Sequence, residues 1–189
     1  MAEITALIDA NVLASMTLTD LVIETAHQGL FAARWTDDIH AEWMRAVLRM
    51  QPPRAQALLD RRRNRMDANT PGCLVTGYLP NISSLSLPDP DDRHVLAAAV
   101  VGSCRFIVTK NLKDFPPTDL ATFGIDAVHP DTFFLGLLGD DLTAFLTAIR
   151  AILGRMRNPR LTVDAYLAQL NKIGMPMLAA ALERHKALI

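Results

Sequence analysis

Thr5-Ala-Leu-Ile-Asp9-Ala-Asn11-Val-Leu13 is a short apolar run that ends on an acid and passes at once into helical spacing. An apolar run of this length, with no polar alternation, reads as a strand buried on both faces of a parallel sheet. It predicts a strand over Thr5–Asp9 and a helix from Asn11 to about Glu24, with Leu13, Met16 and Leu21 inward. The pattern then repeats. Ala32–Thr36 reads as a second strand, and Asp37 to about Met50 as a helix whose Ile39, Trp43, Val47 and Met50 share a face. Asp37 or Asp38 is the expected cap. Pro52 and Pro53 should end that helix and open the next, which runs to about Met66.

After a turn at Asn69–Gly72 the pattern weakens, with a short strand near Leu74-Val75 and a helical turn after Pro80. Pro88–Asp92 reads as a loop capping a helix that runs through Val95–Val101, apolar all round and therefore buried, and ends at Gly102. Arg105–Thr109 is a third strand, Asn111–Phe115 a loop or single turn, Asp119–Thr122 a short helix and Ile125–Val128 a last strand. Strands alternating with helices predict an α/β fold with a central parallel sheet and helices on both faces. Beyond residue 130 the pattern is wholly helical: Asp131–Gly154 in one or two pieces, Thr162–Leu170, and Pro176–Leu188, with Arg155–Arg160 as linker. This divides the chain into 1–130 and a helical C-terminal extension, 131–189.

The chain has 189 residues, half of them hydrophobic and 21% charged, with a formal net charge of −1. That balance argues against a strongly basic, non-specific nucleic-acid binder, but leaves room for an enzyme that meets phosphate through a bound cation. Cys73 and Cys104 are far apart and form no C-x-x-C pair, so neither a disulfide framework nor a zinc module is expected. Without a signal-peptide pattern or a bilayer-length apolar run, the expected location is the cytoplasm.

Four acids stand out by position. Asp9 ends the first strand, Asp114 follows the third, Asp92 opens the alanine-rich helix, and Glu42 sits beside the apolar face of its helix. Ligand sites in open α/β sheets form outside the carboxyl ends of the strands. Converging carboxylates repel one another unless a cation lies between them, and oxygen donors select hard ions such as Mg²⁺ or Mn²⁺. Such an ion serves phosphodiester chemistry well. Taken singly, each acid also has a structural reading: Asp9 and Asp92 as helix caps, Glu42 as a solvated helix residue, Asp114 in an Asx-turn.

The words around these acids resemble the PIN-domain ribonucleases, and within them the VapC-like toxins of type II toxin–antitoxin systems. Leu7-Ile8-Asp9-Ala-Asn11 resembles the family's opening motif, and Asp38-Ile-His-Ala-Glu42-Trp its second block. Leu87-Pro-Asp-Pro-Asp-Asp92-Arg-His-Val-Leu-Ala-Ala-Ala99 resembles the third, and Val108-Thr109-Lys-Asn111-Leu-Lys-Asp114-Phe115 the fourth. The four occur in the family's order. The resemblance implies a three-layer α/β/α fold and an endoribonuclease dependent on Mg²⁺ or Mn²⁺ that leaves a 5′-phosphate and a 3′-hydroxyl. It implies Asp9, Glu42, Asp92 and Asp114 as catalytic, metal-binding acids, with Asp91 an alternative to Asp92 and Asn111 an alternative to Asp114. It implies Asn11, Thr109 and Asn111 as groups that orient them. A small antitoxin and a homodimer are the implied partners.

Arg61-Arg62-Arg63-Asn-Arg65 is the densest basic run, read either as a solvated helix face or as phosphate contacts for RNA. Lys110 and Lys113 flank the fourth block and join it as RNA-binding candidates, with Arg45 a further one. His94 lies a turn from the acids and reads first as structural, with a place near the site as the alternative. Other enzyme classes fit poorly. A dehalogenase-type phosphatase needs an acid where Asn11 stands, no glycine-rich phosphate loop follows a strand, and no G-x-S-x-G elbow occurs. A PIN domain that processes RNA without being a toxin, and a non-catalytic interaction protein on the same fold, are the remaining alternatives.

Overall fold

A computed structural model describes residues 4–50, 56–156 and 161–189. The Met50 side chain, the helix boundary expected at Pro52-Pro53 and most of the expected 155–160 linker lie outside the described residues. Four short strands, β1 (Thr5–Ile8), β2 (Ala32–Arg34), β3 (Phe106–Val108) and β4 (Asp126–Val128), pair in parallel in the order β2-β1-β3-β4. Leu7 aligns with Arg34 on one side and Ile107 on the other, and Ile8 aligns with Val108. The two central strands bury Leu7, Ile8, Ile107 and Val108 completely, which is why they read as unbroken apolar runs. The chain leaves β1 toward β2 and later returns to the other side of β1 as β3. The carboxyl ends of β1 and β3 therefore form the sheet's switch point, where ligand sites of open α/β sheets lie.

Ten α-helices occupy the described residues and flank the sheet: α1 (Ala10–Leu13), α2 (Met16–His27), α3 (Asp37–Met50), α4 (Gln56–Asn69), α5 (Arg93–Val101), α6 (Pro117–Leu120), α7 (Pro130–Asp140), α8 (Leu142–Arg155), α9 (Val163–Lys172) and α10 (Pro176–Glu183). The helix expected over 11–24 is broken in two. Ser15 takes an extended conformation and its hydroxyl caps α2 at Leu18 N–H, while apolar spacing continues through the break. Neither Asp37 nor Asp38 caps α3. Thr36 does, its Oγ1 accepting from Ile39 N–H at 3.1 Å, while Asp37 pairs with Arg63 and Asp38 accepts from the Tyr78 hydroxyl. Around Leu74 the expected strand reduces to a single bridge with Trp35, and the turn after Pro80 is a 3-10 helix, Leu79–Ser84. Cys73 and Cys104 are buried free thiols.

The C-terminal helices are built onto the sheet layer. α8 packs along α2, and Arg155 near its end pairs with the buried Glu24 at 2.5 Å. Phe133 of α7 meets Phe31 and Phe106 edge-on, with centroids 5.0 and 5.8 Å apart, so the apolar core runs without a break from sheet to extension. Asp131, almost fully buried in α7, caps α10: its two oxygens accept from Met177 and Leu178 N–H at 2.9 and 2.8 Å. Among the described residues no single helix is long and apolar enough to cross a membrane. α7 and α8 together pass by length and composition but are bent by 120°.

Candidate metal centre

The sheet places Asp9 and Thr109 side by side, one residue beyond the ends of β1 and β3, and Asp9 N–H donates to Val108 O at 3.1 Å. Thr109 is fully buried and uses its whole hydrogen-bonding capacity. Its hydroxyl donates to Asp9 Oδ2 at 2.6 Å and accepts from Asn11 Nδ2 at 2.9 Å and from Asn111 N–H at 3.0 Å. Asn11 also donates to Asp9 Oδ2, and its carbonyl accepts from Lys110 N–H. Asp9 occupies the N-cap position of α1 but makes no side-chain cap hydrogen bond. Burial raises its pKa above the ordinary 3.8, the Glu42 charge adds to the rise, and the Thr109 hydroxyl and His94 oppose it.

Asp92 likewise stands at the N-cap of α5 without capping it. Its carboxylate faces those of Asp89 and Asp114, and one oxygen from each of the three lies within 4.8 Å of the others. Asp114 enters this group from the 3-10 turn Leu112–Asp114, where the Asn111 side-chain amide donates to its carboxylate. Burial and the surrounding charges of Asp9, Asp89 and Asp114 push the Asp92 carboxyl up to about 6. Asp91 is exposed and outside the group. Among the described residues no Lys or Arg forms an ion pair with any of the three acids. Three uncompensated carboxylates at this spacing suit a hard divalent cation, whose bonds to oxygen run about 2.0–2.6 Å. An all-oxygen donor set suits a hard divalent cation and not a thiolate- or imidazole-seeking metal.

Asp89 was not among the acids singled out above. Between Pro88 and Pro90 it reads as a turn residue, and it does cap the 3-10 turn Pro90–Asp92 by accepting from Asp91 N–H. The same turn brings it beside Asp92. Glu42 is not in the three-carboxylate group. Its carboxylate lies within electrostatic reach of Asp9, and its contact is His94, whose Nε2 stands 2.9 Å from Glu42 Oε1 outside hydrogen-bond alignment. Burial disfavours the His94 imidazolium, but Glu42, with Asp38 and Asp9, outweighs it and raises the pKa.

The basic residues divide. Arg62 is turned inward, against the expectation of an RNA contact. Its guanidinium lies 4.5 Å from the centre of the Trp43 ring and donates to Leu13 O and the Thr19 hydroxyl, with Ser15 O at 3.4 Å. Burial pulls its pKa down to about 10. Arg63 pairs with Asp37 at 2.6 Å. Arg61 and Arg65 are exposed along a cavity of about 770 Å³ between α2 and α4. Lys110 reaches Ile173 O at 3.4 Å, Lys113 is exposed, and Arg45 bonds back to its own helix at Ala41 O.

The PIN-domain family model matches residues 5–113, more than half of the chain; Asp9, Glu42 and Asp92 lie inside the match and Asp114 one residue beyond it. The chain belongs to the PIN-domain family. The model described as VapC50 C-terminal domain matches residues 130–184, α7 through α10. A Mycobacterium tuberculosis protein described as "Putative ribonuclease VapC50" is 45% identical over 76 residues, which cover 40% of this chain and 39% of that protein. The match thus spans well under half of that relative's length. No solved structure matches the chain. A PIN sheet, a VapC50-type helical extension and an acidic cluster at the switch point therefore occur together in one chain.

Proposed function

We propose that this PIN domain is an endoribonuclease dependent on Mg²⁺ or Mn²⁺, acting in the cytoplasm as the toxin of a toxin–antitoxin pair. The observation that carries the reading is the group Asp89, Asp92 and Asp114 within 4.8 Å, uncompensated, beside the buried Asp9 at the sheet's switch point. In this reading Asp9, Glu42, Asp92 and Asp114 are the catalytic, metal-binding acids, and Asp89, grouped with Asp92 and Asp114, is a further candidate ligand. When bound, the ion supplies an activated water and charge stabilisation at the phosphoryl oxygens. Thr109 and Asn11 fix the Asp9 carboxylate, and Asn111 fixes Asp114, so that the oxygens need little reorganisation as charge develops. Lys113, Arg61 and Arg65 are exposed cations available to phosphate.

RNA as substrate, a small antitoxin as partner and a homodimer belong to this proposal; membership of the PIN-domain family and a relative described as a putative ribonuclease support RNA as the substrate. Residues 1–130 form the nuclease part and 131–189 the extension, joined through one apolar core. The test is cleavage of total RNA by purified protein with Mn²⁺ or Mg²⁺, beside Asp9→Asn and a chelator. Cleavage lost in both controls supports the reading. No cleavage by folded, partner-free protein with either metal overturns it.

A further inference from the structure

We infer that His94 is a positioning residue that holds the Glu42 carboxylate in the acidic site; the inference rests on the nuclease reading above. Glu42 lies on α3 within electrostatic reach of Asp9, a placement that like charge opposes: the Glu42 charge adds to the rise in the Asp9 pKa. The Glu42 side chain is 35% exposed, so a swing into water is open to it. Among the described residues the polar side chain that meets its carboxylate is His94, at 2.9 Å. The Asp9 carboxylate is fixed by Thr109 and Asn11, and that of Asp114 by Asn111; Glu42 has His94 in the equivalent place.

The imidazole is well placed to hold. It is only 11% exposed, sits on the first turn of α5 two residues after Asp92, and is fixed by the same helix that presents Asp92. Both ring nitrogens are buried without an aligned hydrogen-bond partner, so the ring's polar edge is not committed elsewhere. A buried imidazole would be expected to satisfy at least one nitrogen within the fold if its role were packing alone. The hold requires an N–H at Nε2, present in the charged ring and in the Nε2–H tautomer of the neutral ring. Through His94 the second and third acidic blocks, 50 residues apart in sequence, would act as one unit.

The test is a double-mutant cycle on Mn²⁺ affinity, read by the electron-spin signal of free Mn²⁺, with wild type, His94→Ala, His94→Gln, Glu42→Gln and the His94→Ala/Glu42→Gln pair. Loss of a group that orients a metal-site carboxylate costs about 10–100-fold in affinity. His94→Ala and Glu42→Gln should each lose on that scale, the double variant should lose no more than the larger single, and His94→Gln, which keeps a side-chain N–H, should recover most of the loss. Additive losses, or wild-type affinity in His94→Ala, overturn the inference. So does tighter binding in His94→Ala, which would make His94 a competing cation. A second readout needs no metal: the His94 ring ¹⁵N signals of the metal-free protein should move in Glu42→Gln, and unmoved signals overturn the pairing. Wild-type protein that binds no Mn²⁺ and cleaves no RNA removes the nuclease reading instead, and the ring signals still decide the pairing.

Discussion

Replacing Asp92 with Asn should stabilise the metal-free protein at neutral pH. Asp92 has a folded pKa of about 6 against an ordinary 3.8, because burial and three neighbouring carboxylates disfavour its charged form. A carboxyl whose pKa is raised by folding binds its proton more tightly in the folded state. Its protonated form favours the fold fully below about pH 3.8, and that contribution is lost as pH rises through about 6. The full difference corresponds to about 3 kcal/mol between the two protonation states. The group is half-buried, so water screens this to about 1–2 kcal/mol. Asp92 makes no side-chain cap bond to α5, so Asn forfeits no cap. Urea unfolding with a chelator should therefore show Asp92→Asn more stable than wild type by about 1–2 kcal/mol at pH 7.5 and equal to it near pH 4. Added Mn²⁺ at pH 7.5 should reverse the ranking, since the ion stabilises whichever form binds it. A variant no more stable than wild type at pH 7.5 in chelator, with an unchanged pH slope, would refute the repulsive-cluster account.

Other substitutions test the scaffold around the acids. Thr109→Val keeps shape but strands Asn111 N–H and the Asn11 amide and removes the hydroxyl bond to Asp9; a loss of about 2–4 kcal/mol in urea unfolding is expected, and a neutral effect would contradict the network. Arg62→Met should cost about 2–3 kcal/mol, because Leu13 O and the Thr19 hydroxyl lose a buried donor, whereas Arg61→Ala/Arg65→Ala should change stability by less than about 0.5 kcal/mol per site. The same double variant should flatten the salt dependence of RNA binding, measured by fluorescence anisotropy on an uncleaved substrate, by about 0.7 per arginine in log–log slope, with no change in slope if neither touches phosphate. A chain ended at residue 129 should fail to give a cooperative thermal transition, because Phe133 and α8 complete the core against Phe31, Phe106 and α2; a sharp transition would show the sheet layer to be self-sufficient.

Much of this was legible in sequence because burial and chemistry mark the same positions. The two central strands appear as apolar runs because they are covered on both faces, and the polar residues that end them, Asp9 and Thr109, are those that meet at the switch point. What escaped has physical reasons. The break at Ser15 hides behind apolar spacing that continues on both sides, so only the hydroxyl three residues before Leu18 could have revealed it. Asp89 looks like turn chemistry because it does cap a turn, and its second role depends on where that turn points. Arg62 groups with its neighbours by charge, yet it lies three residues after Leu59 and four before Met66, both buried, so helical periodicity assigns it to the inner face of α4. There it joins a buried polar chain. Trp43 stacks under Arg62 and donates to His40 Nδ1 at 2.9 Å, which leaves the proton of the neutral His40 ring on Nε2, 2.9 Å from Asp67 Oδ1, an oxygen that also accepts from Trp35 Nε1. His40 and Trp43 stand two residues before and one residue after Glu42 on α3, so these contacts anchor the stretch of helix that carries Glu42. The acids alone thus describe a cation site. Its geometry depends on neutral and basic residues that the fold brings beside them, such as Thr109 against Asp9, a hundred positions apart.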